Sequence, residues 1–218
     1  MKLSETELQD LAQQLRCPNG DNGLKVGEMM NFTNSNIISR VIDSLNLQHN
    51  DSILEIGPGN GAHVSSFINN ASEGEYHGID ISELMLSEAS NSNAAFKNVF
   101  FQHTNGSDIP FEENRFNKIF TANTIYFWDE PQAFADEIAR VLKTGGILSI
   151  GFIPESTMKK IPFAKYGFTL YSIPTVTKLL ENAGFIVEAA VTDTEFVTSN
   201  SGEKIEREFV ILTAKKSQ

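Results

Sequence analysis

The sequence predicts an α/β protein built on a doubly wound, seven-stranded, mostly parallel sheet. Three observations predict it. Short apolar runs alternate with helix-patterned segments between Ser52 and Phe152, as in successive βαβ units. A glycine-rich turn, Gly57-Pro58-Gly59-Asn60-Gly61, follows the first apolar run. The tail holds two strand-like segments with no helix between them. These should pair as an antiparallel hairpin, because parallel neighbours need a crossover. One reversed strand at the C-terminal end follows.

Each element has its own signal. Leu8, Leu11, Ala12 and Leu15 form a helical stripe over residues 4–16, behind a Ser4 N-cap with Glu5 and Glu7 in the first turn. Cys17–Gly23 is dense in turn formers and is expected to be loop. A second helix is expected over about 35–45, burying Ile37, Ile38, Val41, Ile42 and Leu45. Strands are expected at Ser52–Ile56, Glu75–Ile79, Val99–Gln102, Lys118–Ala122 and Gly146–Phe152. The helices between them are expected at Ala62–Asn69, Ser82–Ser90 and Pro131–Leu142. Ile173–Ala183 reads as a helix closed by Gly184, a C′ glycine. The hairpin strands are Phe185–Val191 and Glu208–Ala214, with the polar Thr198-Ser199-Asn200-Ser201-Gly202 in their connection. Residues 1–218 are expected to form a single domain, with a helical segment over 1–48 and an α/β core over 49–218. An insertion at 152–172 interrupts that core.

Composition narrows the function. The 218 residues are 40% hydrophobic and 21% charged, an ordinary globular balance. A formal net charge of −11 repels phosphate backbones and anionic headgroups, which disfavours nucleic acid and membrane surfaces as partners. The single cysteine, Cys17, allows neither an internal disulfide nor a cysteine metal cage. None of the four histidines has a partner at ligand spacing, so no metal site is expected. His63 and His103 lie near the glycine loop and the end of the third strand, where a structural or solvated role is favoured over that of a base. The N-terminus is too polar for a signal peptide, and no stretch approaches membrane-spanning length, so the expectation is a cytoplasmic protein.

The chemistry is concentrated in Glu55-Ile56-Gly57-Pro58-Gly59-Asn60-Gly61. In an open parallel sheet a ligand binds at the carboxyl ends of the strands, and glycines there let the backbone approach it. A dinucleotide site calls for Gly-x-Gly-x-x-Gly. Here the third glycine comes one residue early and an acid stands two residues before the first, which suits a cationic ligand group better than a diphosphate.

This segment resembles motif I of class I S-adenosylmethionine-dependent methyltransferases, acid-x-Gly-x-Gly-x-Gly. Further segments resemble the same family in order. Asp80, followed by Ile81, matches its ribose-binding acid. Asn105-Gly106-Ser107-Asp108-Ile109-Pro110-Phe111 resembles its adenine-contacting segment, with Asn105 at the acid position and Asp108 as the alternative. Arg140-Val141-Leu142-Lys143-Thr144-Gly145-Gly146 resembles the turn before its fifth strand, and Ile173–Phe185 its last helix. The similarity covers roughly 50–214 and is greatest to the small-molecule branch typified by quinone-biosynthesis C-methyltransferases.

The resemblance implies a Rossmann-like methyltransferase fold, S-adenosyl-L-methionine as cofactor, and a small-molecule acceptor methylated by in-line displacement. It implies cofactor contacts at Glu55, Gly57, Pro58, Gly59, Asn60, Gly61, Asp80, Ile81, Asn105 and Gly106, with backbone contacts from Thr121 and Ala122. Candidate acceptor-pocket residues are Asn123, Tyr126 and Trp128 after the fourth strand, and Met29 and Met30 in the N-terminal segment. Asn123 and Tyr126 fall where amino-group methyltransferases carry Asp/Asn-Pro-Pro-Tyr, but both prolines are missing. Two other readings stay open: a non-catalytic S-adenosylmethionine-binding or regulatory protein, and a nicotinamide-dependent oxidoreductase. Neither the acceptor atom nor the oligomeric state is specified by the sequence.

Overall fold

The computed structural model describes residues 3–71, 73–198 and 204–217. Seven strands form one sheet: β1 (Ser52–Ile56), β2 (Glu75–Asp80), β3 (Val99–His103), β4 (Phe116–Ala122), β5 (Leu142–Phe152), β6 (Phe185–Thr198) and β7 (Lys204–Lys216). Their spatial order is β3-β2-β1-β4-β5-β7-β6. The β1–β2, β1–β4, β2–β3 and β4–β5 pairs are parallel, whereas β7 is antiparallel to both β5 and β6. Strand order therefore reverses between β1 and β4, which creates a crevice at their carboxyl ends. The hairpin strands run longer than the sequence pattern shows, because β6 and β7 keep pairing out to Thr198 and Lys204 beyond the sheet's buried zone. Of the polar connection, Ser199–Gly202 lies outside the described residues.

Among the described residues, seven α-helices flank the sheet: α1 (Glu5–Arg16), α2 (Gly20–Ser44), α3 (Val64–Phe67), α4 (Glu83–Ser92), α5 (Pro131–Val141), α6 (Glu155–Met158) and α7 (Ile173–Asn182). Ser4 and Glu7 close α1 with a reciprocal capping box. Ser82 and Ser172 cap α4 and α7 through their side chains. β1 is buried along its whole length, as a central strand covered on both faces must be. The core runs from Ile53 and Leu54 through Ile119, Phe120, Leu148 and Ile150 to Val210 and Leu212.

Two expectations are corrected. Gly20–Gly23 is helix, not loop: α2 begins at Gly20 and runs 25 residues without a break. Its small residues serve contact rather than turning. A Cβ on Gly23 would lie 2.8 Å from the Pro18 carbonyl carbon, and one on Gly27 would lie 2.9 Å from the Met85 sulfur. The segment after the glycine loop is also shorter in α-helix than Ala62–Asn69, comprising only α3 and a 3-10 turn at Ile68–Ala71.

α2 spans about 37 Å at 1.5 Å per residue. It lies across the sheet with Ile37 and Val41 pressed onto β5 at Gly151, where a Cβ would come within 2.6 Å of Val41. Ser44 and Ser149 join hydroxyls across the same contact at 2.7 Å. The N-terminal half of α2 is thereby held above the carboxyl ends of the strands, facing α4 through Gly27 and Met85.

Candidate functional site

A cleft opens where β1 and β4 part. Its floor is the turn after β1, and its walls come from β2, the 104–106 loop, the 122–129 segment and the face of α2. Glycines at 57, 59 and 61 all take positive φ. The outer two are packed: a Cβ on Gly57 would strike Thr124 and one on Gly61 would strike Ala89. Gly59 has nothing within 4 Å of where its Cβ would stand, so its backbone is bare towards the cleft.

Asp80 fixes this turn from β2. Its carboxylate accepts the Gly59 N–H at 3.1 Å and the Ser82 N–H at 2.9 Å, and only 8% of the residue is exposed. Burial pushes the Asp80 carboxyl up to about 6, against the pull of three backbone N–H donors. It keeps lone pairs for a further donor and lines the cleft.

Glu55 is 2% exposed and already engaged. It accepts the Tyr76 hydroxyl at 2.5 Å and His63 Nε2 at 2.8 Å. Burial alone would hold His63 down, but the Glu55 charge and hydrogen bond outweigh it and leave the imidazole raised. Burial, then the Glu55 charge, push the Tyr76 phenol well above its ordinary range. His63 lines the cleft beside Glu55, a pairing that the sequence reading of His63 as structural or solvated did not specify. The eight-residue separation across a glycine turn offered no periodic signal for it.

On the far side, Asn123 takes φ +59°, a left-handed conformation that asparagine tolerates better than most residues. Its Oδ1 accepts the Tyr126 hydroxyl at 3.0 Å, and its Nδ2 donates to Asn34 Oδ1 on α2 at 3.2 Å. Thr121 bonds Ile56 O and Thr124 through its hydroxyl, stitching β4 to β1. Trp128 Nε1 donates to Thr124 Oγ1 at 3.3 Å. At the mouth, Arg16 at the end of α1 grips Asp129 with two hydrogen bonds of 2.7 and 2.8 Å.

Of the residues singled out from sequence, Glu55, Gly57, Pro58, Gly59, Asn60, Asp80, Ile81, Asn105, Gly106, Ala122, Asn123, Met30 and Trp128 line this one cleft. Gly61, Thr121, Tyr126 and Met29 do not. Gly61 is packed under α4, Thr121 is buried between strands, and Tyr126 stands behind Asn123 with 2% exposure. Met29 lies off the lining, its carbonyl accepting the Thr33 hydroxyl. Asn105 reaches the cleft, but its Oδ1 accepts the Ser107 and Asp108 N–H groups, so the amide oxygen expected to face a ligand is spent on its own turn. Arg16 and Ile38 join the lining without having been singled out as site residues, alongside Asn31 and Asn34 of the 27–34 candidate segment and Phe127 of the aromatic run after β4. Among the described residues, no three His, Cys, Asp or Glu side chains converge as a metal site, and no helix is long and apolar enough to cross a membrane.

Comparison with known proteins agrees with this geometry. Residues 54–150 match the model of a methyltransferase domain. The methyltransferase YrhH of Bacillus subtilis (strain 168) is 37% identical over 109 residues, 49% of this chain and 59% of that protein. The demethylmenaquinone methyltransferase of Tropheryma whipplei (strain Twist) is 30% identical over 132 residues, 61% of this chain and 54% of that one. The chain thus spans between half and two thirds of these relatives' length. Among solved structures, the methyltransferase bound to the Trm112 activator in Haloferax volcanii superposes with a TM-score of 0.80 at 16% identity, covering 91% of this chain and 96% of that one. A SAM-dependent methyltransferase of Aquifex aeolicus gives 0.65 at 21% identity, covering 98% and 100%. Residues 54–150 thus match a methyltransferase domain, and the chain is similar to methyltransferases in sequence and in fold.

Proposed function

We propose that the protein transfers a methyl group from S-adenosyl-L-methionine to a small-molecule acceptor by in-line displacement. The observation that carries this reading is the bare Gly59 backbone tied to the buried Asp80 carboxylate at the crevice between β1 and β4. The residues fit the cofactor. Asp80 offers a buried acceptor for a ribose diol, Gly59 lets a ligand come against the main chain, and Ile81, Asn105 and Gly106 flank the adjoining rim. When bound, the cofactor supplies an electrophilic methyl carbon on a sulfonium that leaves as a neutral sulfide.

The protein's own task is then alignment and exclusion of water. The N-terminal segment 1–48 acts as a lid, through the half of α2 that carries Met30, Asn31 and Asn34. Met30, Ile38 and Phe127 give the acceptor side an apolar lining. Asn123 and Ala122, at the end of β4, stand where the acceptor meets the donor. The strongly acidic composition and the apolar residues on the acceptor side of the cleft support a small molecule over nucleic acid. Backbone positioning contributes more than acid–base chemistry in this reading, since the buried carboxylates are engaged with His63, Tyr76 and the glycine turn.

Calorimetry with S-adenosylmethionine and S-adenosylhomocysteine tests the proposal. The wild type is expected to bind both. Gly59→Val forces a β-branched residue to φ +55°, and should lose at least about tenfold in affinity. Absence of binding to the wild type, or unchanged binding to the variant, would overturn it.

A further inference from the structure

The Asn34–Asn123–Tyr126 chain has a fixed sense. A backbone N–H can only donate, and Ile153 N–H points at the Tyr126 oxygen at 2.5 Å. The Tyr126 hydrogen must therefore go elsewhere, and Asn123 Oδ1 lies 3.0 Å away. The other choice is the Ile153 carbonyl at 3.5 Å, the far end of hydrogen-bond range. With Asn123 Oδ1 accepting, its Nδ2 donates to Asn34 Oδ1, so each amide oxygen already holds one donor. One N–H of Asn123 and two of Asn34 stay free, against one remaining lone pair on each oxygen.

The surroundings keep this polarity. Arg207 donates to Thr33 O and pairs with Glu195, which anchors α2 one residue before Asn34. Arg16 and Asp129, on the rim, pair with each other at the mouth. An acceptor between Met30 and Phe127 meets the free N–H groups of Asn34 and Asn123, with Asn31 and Thr124 also in the lining.

We propose that Asn34 and Asn123 form the acceptor-recognition pair, presenting N–H groups that select a substrate through a hydroxyl, enolic or carbonyl oxygen and discriminate against amines. This rests on the methyl-transfer reading of the same cleft. An amine acceptor needs an amide or carboxylate oxygen to take its N–H, and here the Asn123 and Asn34 oxygens each already hold one donor. An anionic or carbonyl oxygen gains charge-assisted or neutral hydrogen bonds from the same two groups. Tyr126 is a positioning residue, since it acts through the orientation of Asn123.

The test uses two near-isosteric chromophores, 4-nitrophenol and 4-nitroaniline, titrated into the full-length protein with and without S-adenosylhomocysteine. The nitrophenol is expected to bind at least about tenfold tighter, with a shift of its absorbance towards the phenolate form. Asn34→Ala should lower nitrophenol affinity about tenfold and leave S-adenosylhomocysteine affinity within about threefold, which also reports that the fold is intact. Tyr126→Phe frees the Asn123 amide to turn and should bring the two affinities close to equal. Equal or tighter nitroaniline binding by the wild type, no saturable binding of either compound, or an Asn34→Ala variant with unchanged nitrophenol affinity would each overturn the proposal. Loss of S-adenosylhomocysteine binding by the wild type would instead overturn the methyl-transfer reading, because the chromophore arm without it still reports on the amide pair.

Discussion

Asp80 and Gly59, 21 residues apart in the chain, are joined by a 3.1 Å hydrogen bond from main-chain N–H to carboxylate. The bond makes the glycine turn and the end of β2 a single rigid piece. It also ties the turn's shape to the charge on one buried acid.

That charge sets a pH window. Burial raises Asp80 to about 6, so below that value the carboxyl takes up a proton and loses acceptor strength. Cofactor binding favours the ionised form, so affinity should fall as pH drops through 6, approaching tenfold per unit well below it. Asp80→Asn should bind at least about tenfold more weakly at pH 7.5 and show a flat profile from pH 5 to 7. Calorimetry across that range measures both, and a sloped profile in the variant would assign the titration to another group.

The Glu55–His63 pair predicts the opposite dependence for stability. The folded His63 is raised above its ordinary value of 6.5, so its contribution is complete below 6.5 and is lost as pH climbs through the folded value. His63→Ala should cost about 1–3 kcal/mol at pH 6, with Glu55 left to the Tyr76 hydroxyl alone. The cost should shrink by pH 9. Urea denaturation of both proteins at the two pH values gives the difference directly.

Packing of α2 on β5 is tight at Gly151, where a Cβ would fall 2.6 Å from Val41 and 2.9 Å from Ile37. Gly151→Ala should therefore destabilise by about 1–3 kcal/mol through overpacking. The strain displaces the helix that carries Asn34, so acceptor affinity should suffer more than cofactor affinity. Thermal melts and paired titrations with the two ligand types would show whether the losses separate in this way.

At the mouth, Arg16 and Asp129 are 41% and 71% exposed, so their pair contributes only about 0–1 kcal/mol to stability. Asp129→Asn should barely move the melting temperature, yet release S-adenosylhomocysteine several times faster in stopped-flow, because the end of α1 is no longer latched across the opening. The wild type should release it faster in high salt, and the variant should not respond.

Much of this molecule is legible in its sequence, for identifiable reasons. β1 and β2 are short apolar runs with glycine or acid at their ends, and the spacing of Gly57, Gly59 and Gly61 locates the turn. The start of α2 is not legible, because Gly20-Asp21-Asn22-Gly23 carries the composition of a loop. Only the neighbours Pro18, Leu84 and Met85 reveal that small residues at 23 and 27 permit close packing. The Asn123 site is half legible. Its place after β4 is clear from the pattern, whereas its partner Asn34 lies 89 residues earlier on another element. Asn105 shows the converse: its position is readable, but the turn that consumes its oxygen depends on Ser107 and Asp108 main-chain groups.

The two halves of the cleft come from different parts of the chain. The residues that would grip the donor sit on strand ends and the loops after them, between Glu55 and Ala122, whereas the acceptor side joins Met30, Asn34 and Ile38 of the helix Gly20–Ser44 to Asn123 and Phe127 after β4. The same helix thus faces two ways. Ile37 and Val41 seat it on β5, so substitutions at Met30, Asn34 and Ile38 are expected to change acceptor preference with that seat left in place.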